Sequence, residues 1–261
     1  MQVIHPLLDP DRRPIVGHRG NAAHAPENTM ESYRQALAAG AECVELDLRL
    51  SADGIPVVMH DPTVDRTTDS SGAVASLSVD QLRRADAGAR FTRDGGRTFP
   101  YRDKGIRVPT LEDVLTELAD VPLLVEIKTA QASSAVRRLI ERHGAESRCV
   151  IESFDARALE PFRGSRLAIG ASRADVARLL HRIVTRRPVR SLPYSIMCLP
   201  PRLRGVPMPI ASLVRLTRPA GCLVHMWTIN EPEEARRLWN VGVRGIVSDD
   251  PGLMRRTRDA A

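Results

Sequence analysis

The stretch that most constrains the fold is Cys43-Val44-Glu45-Leu46-Asp47-Leu48-Arg49-Leu50, followed by Ser51-Ala52-Asp53-Gly54-Ile55 and Pro56-Val57-Val58-Met59-His60-Asp61. Strict alternation over the first eight residues predicts a β-strand, with Val44, Leu46, Leu48 and Leu50 on one face and Glu45, Asp47 and Arg49 on the other. Asp-Gly between two apolar runs is a hairpin signal, and folding back around Asp53-Gly54 is expected to bring His60 opposite Asp47, near Glu45. Two carboxylates and an imidazole then share one small volume. A polar strand face that simply meets water would show the same alternation, so the choice falls to the rest of the chain.

Strand and helix patterns alternate from one end to the other. Ile15-Val16-Gly17-His18-Arg19 reads as a short strand ending in Gly20. A helix follows, with Asn28 as its expected N-cap, Glu31 completing a capping box, Met30, Tyr33 and Leu37 on its apolar face, and Gly40 as its stop. Residues 62–108 break the rhythm. They carry a short helix over 78–85 and a Gly/Arg-rich run over 93–97, and are too long for an ordinary βα loop, so they read as a functional insertion between the second strand and second helix. Regularity resumes with a helix capped by Thr110. Strands are then expected over 123–128, 149–152, 167–169, 194–198, 222–227 and 245–247. Helices are expected around residues 136–140, over 156–162, around 176–184, over 211–217 and 231–241, and from Pro251. Five prolines between Pro193 and Pro209 crowd the sixth unit. With the hairpin's return arm counted as an excursion, eight βα units predict a single (β/α)8 TIM barrel over residues 1–261, a doubly wound sheet being the alternative. In a barrel the active site lies at the C-terminal ends of the strands, where His18-Arg19, Glu45, Asp47, Glu126, Lys128 and Trp227 collect.

Hydrophobic residues make up 43% of the chain, enough for a core, but its apolar runs are short and broken by Pro or Arg, so no transmembrane helix is expected. The first 14 residues lack an apolar signal-peptide core, which points to a cytoplasmic protein. The four cysteines sit far apart in or beside apolar runs and read as core residues rather than a disulfide framework or zinc site. A net charge of +6 raises the question of nucleic acid. The basic residues are dispersed with few aromatics among them and no nucleic-acid motif, so an anionic small substrate fits better.

Strands of a barrel are buried on both faces, so inward carboxylates at Glu45, Asp47 and Glu126 are costly without a positive partner. A hard divalent cation, Mg²⁺ or Ca²⁺, suits an all-oxygen set, and the absence of clustered thiolates or imidazoles argues against zinc. A salt-bridge network with Arg19, Arg49 and Lys128 is the alternative. Lys128 is one of only two lysines among 38 basic residues, so a compact point charge two residues after Glu126 reads as selected for that place. Arg19 offers a planar fork for phosphate or carboxylate. His18 and His60, on either side of a held phosphate, would supply the acid and base that phosphoryl transfer needs near neutral pH.

His18-Arg19-Gly20, Pro26-Glu27-Asn28-Thr29, Glu45-Leu46-Asp47, His60-Asp61, Glu126-Ile127-Lys128 and Trp227-Thr228, in this order, resemble the motif set of the glycerophosphodiester phosphodiesterase family. The resemblance runs from residue 15 to about residue 251, with a departure in the Pro-rich region 188–210. It implies a phospholipase-C-like barrel, a bound Mg²⁺ or Ca²⁺, and release of sn-glycerol 3-phosphate and an alcohol from glycerophosphodiesters. Position by position it implies His18 and His60 as the acid/base pair, Glu45, Asp47 and Glu126 as metal ligands, and Arg19, Lys128 and Trp227 as substrate contacts. It also implies that residues 62–108 cover the barrel mouth. Two rivals stand beside it. One is a lysophospholipase D, for which the apolar segment 193–210 and the arginine-rich helix before it would make weak contact with a membrane surface. The other is a non-catalytic barrel that binds glycerophosphodiesters.

Overall fold

The alternation over residues 43–50 does build a strand, and the computed structural model, which describes residues 5–260, closes a sheet around it. Among the described residues, eight parallel strands form the ring: β1 (Ile15–Gly17), β2 (Cys43–Leu50), β3 (Leu123–Ile127), β4 (Cys149–Glu152), β5 (Ala168–Ile169), β6 (Ile196–Leu199), β7 (Leu223–Met226) and β8 (Ile246–Ser248). Their order is β5-β4-β3-β2-β1-β8-β7-β6. A parallel bridge between Gly170 and Ile196 joins the two remaining edges, with Ser195 N donating to the Ile169 carbonyl and Ala171 N to that of Ile196. Each strand is followed by one helix of the outer layer: α1 (Met30–Ala38), α2 (Leu111–Glu117), α3 (Ser133–Arg142), α4 (Ala156–Leu159), α5 (Arg173–Val184), α6 (Ile210–Thr217), α7 (Pro232–Asn240) and α8 (Pro251–Asp259). This is the (β/α)8 TIM barrel that the element pattern predicts.

Parity along β2 decides what the lumen contains. Val44, Leu46 and Leu48 are fully buried in the layer between sheet and helices, together with Val125, Ile127 and Ile151. Cys43, of opposite parity, packs inside the ring with Leu7, Val16, Leu124, Val150, Ile196 and Val247. Glu45 and Asp47 share the parity of Cys43, so the alternation that buries three aliphatic side chains outward sends two carboxylates inward.

Local capping follows the sequence with one exception. Thr110 with Asp113 and Ser172 with Asp175 form capping boxes at α2 and α5, and Ser78 with Gln81 caps the insertion's helix, Val79–Arg84. Asn28, expected as N-cap of α1, is not. Thr29 holds that place, its Oγ1 accepting from Ser32 N at 3.2 Å. Asn28 instead adopts a left-handed backbone with φ 58°, which asparagine tolerates better than most residues, and its side chain turns into the barrel.

The hairpin register also differs by one residue from the sequence reading. The return arm, Pro56–Val58, pairs antiparallel with β2, with Leu48 beside Val58 and Leu50 beside Pro56, and Met59 N donates to the Asp47 carbonyl at 2.9 Å. Ser51 N closes on the Ile55 carbonyl, so the turn holds three residues, the last being Gly54 at φ 79°, rather than the two assumed for Asp-Gly. His60 therefore lies one position beyond the residue facing Asp47. Its carbonyl is held by Arg49 through Nε (2.9 Å) and Nη2 (2.7 Å).

The segment 62–108 builds a small core of its own. Val64, Val74, Leu82, Ala87 and Val108 pack there against Val57 and Met59 of the hairpin. The Pro-rich sixth unit holds a feature absent from the sequence reading, a two-stranded ribbon of Arg202–Leu203 and Val206–Pro207, turned at Arg204 and Gly205. No described helix is long and apolar enough to cross a membrane.

The opposite end of the lumen is closed by Leu7, whose carbonyl lies 3.0 Å from His225 Nε2 while Gly245 N donates to His225 Nδ1 at 2.8 Å. Burial lowers both His225 and the neighbouring His5 to about 4. A histidine held neutral in the fold contributes stability that is present above its unfolded value near 6.5 and is lost as pH falls toward 4. Each should cost about 3 kcal/mol across that window. The melting temperature is expected to drop between pH 6.5 and 4, and His225→Gln to flatten that slope; an unchanged slope in a folded His225→Gln protein would remove this residue from the acid response.

Candidate active site

At the C-terminal end of the ring, Glu45 (5% exposed) and Asp47 (1%) point inward from β2, and Glu126 stands beside Asp47 on β3 in direct register. One carboxylate oxygen from each of the three lies within 4.8 Å of the others. Two cations meet them. Lys128 Nζ is 2.8 Å from both Asp47 Oδ1 and Glu126 Oε1, and Arg19 Nε is 3.2 Å from Asp47 Oδ2. Arg19 also donates its backbone N–H to Glu45 Oε2 at 2.8 Å, and Asn28 donates Nδ2 to Asp47 Oδ2 at 2.8 Å. The Asn28 carbonyl oxygen accepts from the fully buried Tyr33 hydroxyl at 3.0 Å, which fixes the amide.

These contacts divide the carboxylates. Burial pushes Asp47 up, but Lys128 and Arg19 outweigh it and hold the group below its usual range. Glu45 goes the other way: burial, then the neighbouring Asp47 and Glu126, push it well above the usual carboxylate range. Within this cluster three acids face two cations, and Glu45 is the one whose ionisation is disfavoured. An all-oxygen donor set with surplus negative charge could hold a hard divalent cation. The salt-bridge alternative is realised only in part, because Arg49 is spent on the His60 carbonyl.

The two histidines of the motif set line the same cavity as Arg19, Glu45, Glu126 and Lys128. His18, just beyond β1, places Nδ1 2.7 Å from Asp249 Oδ1, and Asp249 Oδ2 accepts from Asn230 Nδ2 at 2.8 Å. His60 places Nδ1 2.7 Å from Asp61 Oδ1, and Asp61 Oδ2 accepts from Arg66 Nε at 2.5 Å. Arg66 first, and then His60, hold Asp61 down at about 2. Each imidazole is thus oriented by a carboxylate on Nδ1, which leaves Nε2 as its free nitrogen. Arg66 comes from the insertion and also grips Glu27 with both terminal nitrogens at 2.7 Å, while Glu27 accepts from Arg19 Nη1 at 2.7 Å. One run of charges therefore links the insertion to the lumen.

Trp227 lies across the cavity, 5.7 Å from Phe154 between ring centroids, with Glu152 and Cys198 nearby. All eight residues singled out in the sequence border one site, through the cavity wall or the carboxylate cluster. Sequence reasoning assigned no site role to Asn28, Asp61, Arg66, Glu152 or Asp249. Asp249 and Glu152 had a legible signal, since each ends or directly follows a barrel strand.

The chain matches the model of the Glycerophosphoryl diester phosphodiesterase family over residues 18–253. It is 35% identical to probable glycerophosphodiester phosphodiesterase 2 of Mycobacterium tuberculosis, over 93% of this chain and 89% of that protein. Its fold matches the crystal structure of a glycerophosphodiester phosphodiesterase from Agrobacterium tumefaciens with a TM-score of 0.74 at 26% identity, covering 93% of this chain and 99% of the other. A phosphodiesterase from Oleispira antarctica, solved in complex with its product sn-glycerol-3-phosphate, matches with a TM-score of 0.78 at 25% identity, covering 95% and 97%. By the extent of the family match and of the relatives' alignment, the chain belongs to the glycerophosphoryl diester phosphodiesterase family and is an enzyme of that class.

Proposed function

We propose that this chain hydrolyses glycerophosphodiesters to sn-glycerol 3-phosphate and an alcohol, with Mg²⁺ or Ca²⁺ held by Glu45, Asp47 and Glu126. The observation that carries this reading is the pair of carboxylate-oriented imidazoles bordering one three-carboxylate cluster. The product bound by the Oleispira relative supports the substrate class. A divalent cation in such a site offsets phosphate charge and polarises a phosphoryl oxygen. Arg19 and Lys128 bind and orient the phosphate. Nε2 of one histidine takes the proton of the attacking oxygen as the new P–O bond forms, whether that oxygen is water's or the glycerol 2-hydroxyl's with water then opening the cyclic phosphate, and Nε2 of the other gives its proton to the departing alkoxide as the old bond breaks. Trp227 packs against a substituent of the phosphate. Four buried or half-buried free thiols support a reducing, cytoplasmic setting.

The decisive assay follows sn-glycerol 3-phosphate release from glycerophosphocholine and glycerophosphoethanolamine with Mg²⁺ or Ca²⁺. Absence of turnover on every glycerophosphodiester would overturn the reading. Preference for lysophospholipids would favour the lysophospholipase D alternative, which the exposed Leu203 (50%) and Val206 (66%) of the ribbon recommend as a second reading.

Lys128 is expected to act as a point charge. Lys128→Met should lower kcat strongly, by about two decades or more, and Lys128→Arg should restore it only in part because the fork is bulkier and cannot reach Asp47 and Glu126 from the same place. Steady-state kinetics of both variants decide it, and full activity of Lys128→Arg would defeat the argument from lysine scarcity.

A further inference from the structure

The cavity has two halves. His18, Arg19, Glu45, His60, Glu126 and Lys128, on or just beyond β1 to β3 and the hairpin, hold the groups assigned above to phosphate and proton transfer. The opposite wall contains Glu152 at the end of β4, with Phe154, Cys198 and Trp227. Glu152 stands beside Glu126 in the sheet register, yet it makes no ion pair among the described residues, and the Lys128 ammonium is taken by Asp47 and Glu126. Its place is built into the fold. The side chain lies over Gly170, where a Cβ would come within 2.9 Å of Glu152 Oε1 and 3.0 Å of its Cγ, so a larger residue at 170 would drive the carboxylate out.

The polar contacts of Glu152 are the Cys198 thiol and backbone, and Lys128 acts on it only from across the cavity. A buried carboxylate without an ion pair of its own is still costly, and a ligand that brings the opposite charge would offset that cost. The neighbouring surfaces suit such a ligand. Trp227 presents an aromatic ring on the same wall, and Phe154 meets it at an angle of 52°. The exposed Arg173 covers Phe154 at 4.5 Å without lining the cavity, which leaves Trp227 as the ring open to a cation.

We propose that Glu152 and Trp227 form a subsite for the ammonium group of the substrate's alcohol, so that the enzyme selects cationic head groups of the ethanolamine or choline type over uncharged polyols. The proposal rests on the phosphodiesterase reading above. Glu152 is a specificity residue here: it pairs with the head group and takes no part in proton transfer.

Glu152→Gln keeps the shape and removes the charge. The ratio of kcat/KM for glycerophosphocholine and glycerophosphoethanolamine to that for glycerophosphoglycerol should fall about tenfold in this variant, chiefly through KM, as expected for loss of one charge-assisted contact. An equal loss on all three substrates, or no loss on any, overturns the proposal. A second measurement needs no turnover. Calorimetric binding of phosphocholine to the cation-loaded wild type should weaken about tenfold in Glu152→Gln, while binding of sn-glycerol 3-phosphate should change far less. Equal effects on both ligands overturn the subsite. A wild type that binds phosphocholine through Glu152 but hydrolyses no glycerophosphodiester would defeat the assigned reaction and leave the ammonium subsite standing.

Discussion

His18→Ala and His60→Ala will each lower kcat by roughly two to four decades with a modest change in KM. Both rings spend Nδ1 on a carboxylate, Asp249 for His18 and Asp61 for His60, so each has one nitrogen left to carry a proton. In the proposed mechanism, removing either ring leaves one of two proton movements to water, while the groups assigned to the phosphate stay in place. The orienting carboxylates act through the rings. Asp249→Asn and Asp61→Asn should therefore cost less, about one to two decades, the size usual for partners that orient a reactive group. Steady-state kinetics on the best substrate, with circular dichroism to confirm folding, separate these effects. Near-full activity of either alanine variant would exclude that histidine from the reaction.

Exhaustive chelation will abolish turnover and lower the melting temperature, and added Mg²⁺ or Ca²⁺ will restore both. Glu45, Asp47 and Glu126 face Lys128 and Arg19, and burial first, then the neighbouring Asp47 and Glu126, push Glu45 well above its usual range. A cation that binds only the folded chain stabilises it by about 2.7 kcal/mol at a hundredfold excess over its Kd. Because a proton on Glu45 competes with the cation, affinity should rise with pH through the titration of that group. Glu126→Gln removes one ligand charge and should shrink the thermal shift. Elemental analysis and calorimetry test this directly: full activity in metal-free protein would favour the salt-bridge network over a metal site.

The sequence carries the ring and the carboxylate cluster because both follow from periodicity. Alternation in β2 fixes which side chains face inward, and parallel register then places Glu126 beside Asp47 without any knowledge of loops. Loop geometry is less legible. A three-residue turn in place of a two-residue one moved His60 by one position, and the left-handed backbone of Asn28 exchanged a helix cap for a hydrogen bond to Asp47. Asp249 is legible as a carboxylate at a strand end but not as the partner of His18, which is 231 residues away and is brought to it only by closure of the ring. The ribbon at 202–207 was obscured by prolines, which weaken any strand signal.

Arg66 has one consequence for how the enzyme responds to heat. It belongs to the insertion, whose core is a handful of apolar side chains, yet its guanidinium holds both Glu27 and the aspartate that orients His60. A small satellite core opens at lower free energy than a closed barrel. Warming should therefore release the His60 ring before the strands separate, and the temperature optimum for turnover should lie below the barrel's own melting point.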